Sequence, residues 1–358
     1  MKLLYLTDRL SHRGGAPHHL LDLISAMAED HQVTVAAANK DSDVVLPEGV
    51  RFARCPGLRR STDHLGGLDK LPNLLASADV VHIQNVMNPA ALRQASGPRA
   101  VVTIQDHRVF CPGPGKTLPS DQTCDRPMSE QACDSCIPDS GRRTEMLTLT
   151  RARLNATRSA HRLVVLSQYM ADELAQAGAE GAVVIPPPVT LGAPKTEPGE
   201  HFLIAGRLVH HKGTDLGIQA FDLAQPACEL HVAGLGGADL GTAKALGWLD
   251  REDLRATLRR SRALLFPARW QEPFGIVGVE AMAVGTPVIA MSRGGMGEWT
   301  DKGTITVQGV DDMATAITRL SLQPDEALEL GKNGQKMVAE RFSPVRHHAA
   351  MKAVYNTI

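Results

Sequence analysis

Apolar residues along this chain follow two rhythms. Short runs rich in Val, Ile and Leu form one of them: KLLYLT, QVTVAAA, ADVVHIQ, RAVVTIQD and RLVVLS, then HFLIAGRL, CELHVAGLG, RALLFPA, TPVIAMS and TITVQ. Between most of these lie longer stretches whose apolar positions fall three and four apart, as on one face of a helix. Leu20, Leu23, Ile24 and Met27 make such a set, just after the glycine loop of SHRGGAPHH. Near-continuous apolar strands alternating with amphipathic helices predict parallel sheets covered on both faces. In RLVVLSQYMADELAQAG, Ser167 is placed to cap a helix that Gly178 ends.

The alternation is interrupted once. VVIPPPVTLGAPKTEPGE holds five prolines and two glycines, a composition that breaks helix and strand alike. The pattern therefore predicts two doubly wound α/β domains, residues 1–185 and 200–342, a linker at 186–199 and a last helix over 343–358. A length of 358 residues suits that division. Ligands bind such sheets outside the carboxyl ends of the strands, so the loops after each apolar run are where chemistry is expected.

Charge is balanced, 38 Lys+Arg against 39 Asp+Glu, and there is no basic tail, so nucleic acid is not an expected partner. No apolar run reaches the roughly 18–20 residues of a membrane span. MKLLYLTDRL makes a poor secretory signal because Asp8 and Arg9 interrupt it, and a soluble, cytoplasmic protein is expected. Four of the six cysteines, Cys111, Cys124, Cys133 and Cys136, fall in one stretch with the spacing C-x12-C-x8-C-x2-C. In a cytoplasmic chain this points to metal or redox chemistry before a disulfide framework. A structural zinc would staple the Pro- and Gly-rich loop 108–140; disulfide or redox pairs and free thiols are the alternatives.

The second half carries the densest chemistry. PARWQEPFGIVGVEAMAVGTPVIA places Glu272 and Glu280 on either side of a helix start near Gly275. The free N–H groups of a helix start suit a phosphate, and glycine lets a ligand approach the backbone. Glu280, one turn in, suits sugar hydroxyls or a buried ion pair. Upstream, IAGRLVHHKGTD ends a strand at Ala205-Gly206 and supplies Arg207 and Lys212, which fit a diphosphate clamp or two solvated cations. VAGLGG adds a glycine loop at the same sheet edge. In the first half, Gly14-Gly15 precede a helix without the GxGxxG spacing of a dinucleotide site. TIQDHRVFCP leaves Asp106, His107 and Arg108 just after a strand. A histidine there fits hydroxyl donation or acid–base work, or is a loop residue without a role.

EPFGIVGVEAMAVGTPVIA, AGRLVHHKG and the N-terminal Gly-Gly loop together resemble the retaining family 4 glycosyltransferases of the GT-B fold, over nearly the whole chain. The resemblance implies two Rossmann-like domains facing across a cleft, the first on the acceptor side and the second binding the donor, with the closing helix crossing back to the first. It implies that Glu272 contacts the donor sugar, that Glu280 holds the ribose, and that Arg207 and Lys212 clamp the diphosphate. Backbone at Phe274, Gly275 and Ile276 would add donors, Gly15 would let the donor approach, and Leu249 of LGWLDREDL would frame the nucleobase. His107 would face the sugar near the reaction centre.

The implied reaction moves a sugar from a nucleotide-sugar, UDP-linked first and GDP-linked second, to a hydroxyl acceptor with retention of configuration. No metal is required for it. The acceptor would be a saccharide, a lipid-linked sugar or a small metabolite. The cysteine loop follows His107 and is placed to select the acceptor. The arginine-rich segment after it (Arg142, Arg143, Arg151, Arg153, Arg158, Arg162) reads as one helix presenting a solvated face, an anionic-acceptor site, or a peripheral contact with the inner membrane face. Other readings are an epimerase or phosphorylase of the same fold, a zinc-containing interaction module, or a double-Rossmann binding protein without catalysis.

Overall fold

Every strand pairing in the structure is parallel. This computed structural model describes residues 1–358. The chain divides into two units, Met1–Pro186 with His347–Ile358, and Pro187–Arg346. The first unit runs β1 (Lys2–Leu10), α1 (Gly15–Ala28), β2 (Gln32–Lys40), β3 (Arg51–Arg54), α2 (Leu71–Ala76), β4 (Val80–Gln84), α3 (Pro89–Ala95) and β5 (Ala100–Ile104). It continues with α4 (Ser140–Thr157), β6 (Arg162–Val165), α5 (Gln168–Gln176) and β7 (Val183–Val184). Its strand order is β3-β2-β1-β4-β5-β6-β7.

Alternation along each strand sorts the core of this unit into two layers. Leu4 and Leu6 of β1, Val81 and Ile83 of β4 and Val102 and Ile104 of β5 point to the side covered by α3, α4 and α5. Leu3, Tyr5, Val80 and Val101 point to the other side, where α1 supplies Leu20, Leu23, Ile24 and Met27. A one-residue slip would exchange the two faces of a strand, so this pattern sets the register. Caps define the helices locally: Ser167 Oγ accepts from the Met170 N–H (3.3 Å) and Asn88 Oδ1 from the Ala90 N–H (3.0 Å).

The second unit runs β8 (His201–Ala205), α6 (Thr214–Ala224), β9 (Leu230–Ala233), β10 (Lys244–Gly247), α7 (Arg251–Arg260), β11 (Ser261–Phe266) and α8 (Ile276–Ala283). β12 (Val288–Ala290), β13 (Thr304–Thr306), α9 (Val310–Leu322) and α10 (Pro324–Arg341) complete it, in the strand order β10-β9-β8-β11-β12-β13. Phe202, Ile204, Val232, Leu265 and Ile289 pack on α6 and α9, while α8 packs against α10, β11 and β12. The closing helix α11 (Pro344–Tyr355) reaches the first unit from His347 onward.

Three features differ from the sequence expectation. β3 and β10 are strands without an apolar signature, and β7 is only the two valines Val183–Val184 ahead of the proline run; all three are sheet edges, where half the backbone pairing and little side-chain burial suffice. Residues 187–199, expected as a linker, pack into the second unit. Lys195 is 6% exposed there, its Nζ donating to Ser261 O (2.5 Å) and Thr286 Oγ1 (3.3 Å), and burial pushes its pKa down to about 8. Proline removed regular structure from this segment without removing its packing. The arginines expected on one helix are also dispersed. Arg158 follows α4, Arg162 opens β6, and Arg153 is buried, donating to Met87 O (2.9 Å) and Ser61 O (2.6 Å). No helix is long and apolar enough to cross a membrane.

A buried polar column fixes α11 to the first sheet. His82 of β4 bonds the Tyr355 hydroxyl through Nδ1 (2.6 Å) and the Thr103 hydroxyl through Nε2 (2.7 Å), and Tyr355 also meets the Tyr5 hydroxyl (3.1 Å). Burial lowers the His82 pKa to about 3, so the ring is neutral in the folded protein. The unfolded value is about 6.5, so this site's stability is complete above that pH and is lost as pH falls towards the folded value. We expect His82→Leu to destabilise the first unit by about 1–3 kcal/mol at neutral pH, because two hydroxyls lose a buried partner. It should also flatten the fall in melting temperature between about pH 7 and pH 5. Thermal melts of both proteins across that range would show it, and an unchanged slope would assign the acid sensitivity elsewhere.

Candidate functional site

Four loops of the second unit leave the carboxyl ends of adjacent strands, around the point where β8 lies beside β11 and the strand order reverses. After β8 come Gly206, the exposed Arg207 and a single helical turn, His210–Lys212. After β9 comes Gly234-Leu235-Gly236, bridged to Leu208. After β10 come the exposed Trp248 and half-buried Leu249. After β11 the chain runs from Pro267 to Gly275 and enters α8.

The first and last of these loops are tied together. Lys212 Nζ donates to Glu272 Oε1 at 2.5 Å, and Glu272 is only 3% exposed. The ammonium also lies 5.0 Å from the Trp270 ring centroid, a cation–π approach. The Arg269 and Trp270 N–H groups donate to His211 O at 3.1 and 3.3 Å. Gly213 has φ 69°, and a Cβ there would lie 1.9 Å from Pro267 O, so only glycine permits this approach. Glu272 is held from its other side, where the Gly295 N–H donates to its carbonyl (2.6 Å). Burial, followed by the nearby charges of Lys212 and Arg207, lowers the His211 pKa to about 4. His211 is thus neutral beside Arg207 and Lys212.

Helix α8 begins at Gly275, whose φ of 82° lets the chain turn sharply out of the Glu272 loop. Phe274 is buried, its carbonyl accepting from Trp299 Nε1 (2.6 Å), so the helix start is anchored from within. Ile276 and Glu280 are half-buried and lie one turn apart on one helix face. The unit thus groups Arg207, Lys212, Glu272, Phe274, Gly275, Ile276 and Glu280 around two loops, with Leu249 on a third. A cation turn, a buried carboxylate and a helix N-terminus suit a ligand with an anionic part and a hydroxylated part.

Gly15 and His107 belong to the first unit. Gly14, with φ 97°, precedes α1 and Gly15 is its first residue. His107 lies in a short turn after β5 that the Asp106 side chain caps (Arg108 N–H to Oδ1, 2.9 Å). It is 2% exposed, with Nε2 3.1 Å from the Tyr169 hydroxyl and the ring 5.5 Å from that of Phe110. Burial alone would raise the Asp106 pKa, but the Arg108 guanidinium at 2.7 Å outweighs it and holds the carboxyl below its usual range.

The cysteine loop is attached to that turn, since the Cys111 N–H donates to His107 O (2.7 Å). All six cysteines are free, and no group of three or more His, Cys, Asp or Glu side chains is arranged to hold a metal. Cys111 and Cys136 both lie beside Gly113, with Cys136 Sγ 3.7 Å and Cys111 Sγ 4.0 Å from where a Cβ of that glycine would sit. Other contacts organise the loop. Thr117 pairs with Thr123, the Lys116 N–H donates to Cys111 Sγ (3.4 Å), and Lys116 Nζ pairs with Glu173 of α5 at 3.0 Å with both side chains buried. A buried ion pair thus ties the loop to α5. Neither it nor the Lys212–Glu272 contact is visible in local sequence, because each joins residues far apart in the chain.

Two family profiles match consecutive parts of the chain: "Glycosyltransferase Family 4" over residues 13–192 and "Glycosyl transferases group 1" over residues 193–337. The glycogen synthase of Mycobacterium tuberculosis H37Rv is 29% identical over 174 residues, 43% of this chain and 42% of that protein. The lipopolysaccharide core biosynthesis mannosyltransferase LpcC of Rhizobium leguminosarum is 31% identical over 184 residues, 45% of this chain and 52% of that protein. The chain thus spans about half the length of these curated relatives. Among solved structures, sucrose-phosphate synthase from Thermosynechococcus elongatus matches with a TM-score of 0.74 at 21% identity, covering 99% of this chain and 98% of that one. HepE of Anabaena, solved in complex with UDP-glucose, matches with a TM-score of 0.74 at 19% identity over 100% of both chains. These likenesses give the fold class, GT-B, with its two Rossmann-like domains. The profiles cover half of the chain and more, and the protein is a member of glycosyltransferase family 4.

Proposed function

We propose that this protein transfers a hexosyl group from a nucleotide-sugar, UDP-linked in the first instance, to a hydroxyl acceptor with retention of anomeric configuration. The observation that carries this reading is the Lys212–Glu272 pair beside the α8 N-terminus. The two charges neutralise one another in the resting protein. A donor offers each a better-matched partner, phosphate for Lys212 and sugar hydroxyls for Glu272. The HepE complex with UDP-glucose supports UDP as the first carrier to test.

In this reading Arg207 and Lys212 hold the diphosphate, and the N–H groups at Phe274, Gly275 and Ile276 complete its cradle. As the anomeric carbon–oxygen bond breaks, negative charge grows on the leaving diphosphate and these fixed donors stabilise it. Glu272 orients the sugar, Glu280 holds the ribose, and Leu249 borders the nucleobase. The family motif assigns Gly15 to leaving room for the donor and His107 to facing the sugar. The acceptor attacks from the face the diphosphate leaves, and a departing phosphate oxygen takes its proton. No metal is assigned to this step. The acceptor is a saccharide, a lipid-linked sugar or a small metabolite, and the cysteine loop beside His107 is the element that would select it. We place the reaction in the cytoplasm, with peripheral membrane contact if the acceptor is lipid-linked.

Three expected outcomes test the reading. In a thermal-shift panel of UDP, GDP, ADP and their sugars, one nucleotide series should raise the melting temperature; stabilisation by none would overturn the donor site. Glu272→Ala should lower turnover by about 100-fold or more, on the scale of losing one well-placed transition-state contact, while UDP binds at least as tightly because the competing carboxylate is gone. Near-normal turnover of that variant would remove Glu272 from the reaction. For the cysteine loop we retain zinc as a structural ligand that would draw the four thiols together around Gly113. Elemental analysis should then find about one zinc per chain; none, with all thiols freely titratable, would leave the Lys116–Glu173 pair as the staple.

A further inference from the structure

Two ion pairs join the same two loops of the second unit. Lys212–Glu272 is the inner one. The outer one joins Asp215, three residues after Lys212, to Arg269, three residues before Glu272. It is bidentate, with Arg269 Nη1 on Asp215 Oδ1 at 2.5 Å and Nη2 on Oδ2 at 2.6 Å. Arg269 is 8% exposed, and its Nη1 also donates to His210 O (3.2 Å) while its N–H donates to His211 O (3.1 Å). One buried guanidinium therefore grips the cationic turn at its first carbonyl and the start of α6 at a carboxylate. A planar fork bound in this way fixes orientation as well as distance.

The two pairs cannot share one role. On the donor-site reading above, the inner pair opens whenever a nucleotide-sugar enters, because both of its charges are needed elsewhere. If it were the main tie between the loops, donor binding would release the turn that carries Lys212 just when that lysine must be placed. The outer pair faces no such competition: Arg269 is covered, and its donors are directed at Asp215 and the His210 carbonyl. Gly213 against Pro267 O leaves the turn little slack in the other direction.

We propose that Arg269, braced by Asp215, is the positioning residue of the donor site. It seats the His210–Lys212 turn on the 267–272 loop, so that the Lys212 ammonium stays aimed at the diphosphate after its contact with Glu272 is broken. Arg269 touches no donor atom. It acts through Lys212, and its loss is felt as misplacement of that cation.

The test uses the full chain with UDP and GDP titrated by calorimetry, and donor KM and kcat measured with the better donor. Arg269→Met should weaken binding of the preferred nucleotide by about tenfold or more, the scale of a cation displaced by a fraction of an ångström to an ångström. Arg269→Lys should recover part of that loss, and Asp215→Asn should weaken binding less than Arg269→Met. Lys212→Ala should cost less affinity in the Arg269→Met background than alone, since a misplaced lysine has less to lose. A folded Arg269→Met protein that melts lower yet binds nucleotide like the parent, with full Lys212→Ala sensitivity, overturns the proposal and leaves Arg269 a plain structural tie. If Arg269→Met does not fold, Asp215→Asn in the exposed partner decides by the same binding and coupling measurements. A parent protein that binds neither nucleotide overturns the donor-site reading itself, which is a separate outcome from a variant that matches a binding-competent parent.

Discussion

An all-parallel sheet buried on both faces leaves its strands no free side for chemistry. In both units the strand residues are committed to the two core layers, as Leu3 and Leu4 or Val101 and Val102 show by pointing opposite ways. Functional groups are displaced to the strand ends, and parallel pairing brings the carboxyl ends of β8, β9, β10 and β11 to one rim. The sharp turn at Gly275 and the contact at Gly213 follow from crowding loops onto that rim. So does the burial of Glu272, which no isolated loop would impose.

Burying a carboxylate beside a lysine has energetic meaning beyond the contact itself. Glu272 has lost nearly all of its hydration in the resting protein and Lys212 part of it, and each is compensated chiefly by the other, with the Trp270 ring beside the ammonium. A ligand that carries both a phosphate and hydroxyls can replace one compensation with another at little further desolvation. A ligand that takes the lysine and offers no hydroxyls leaves the buried Glu272 without its partner. The pair therefore discriminates by demanding both halves of its ligand together, which is a form of specificity built on exclusion.

Much of this was legible in the amino-acid order. The ten apolar runs mark ten of the thirteen strands, since a central parallel strand needs apolar residues at every position. Edge strands do not, and Arg51–Arg54 with its charged ends shows why β3 carries no signal. The residues of the cationic turn and the acidic loop were visible as a motif with a family behind it. Their pairing was not, because a separation of 60 positions between Lys212 and Glu272 gives no local hint of contact. The same holds for Arg269, which reads in sequence as one more surface cation before a tryptophan. In the cysteine loop the thiol spacing is conspicuous in the sequence, while Lys116 and Glu173 become partners only through the packing of α5.

The return of α11 makes the first unit discontinuous along the chain. Tyr5, His82 and Thr103 are made early by a ribosome, but the Tyr355 hydroxyl that bonds His82 is made after the whole of the second unit. The first sheet must wait with a buried polar column incomplete and the layer shared by α1 and α11 only partly covered, although amino-terminal domains ordinarily fold first during synthesis. Maturation is thereby ordered in time: the second unit can be finished while the first is still open, and α11 then completes the first.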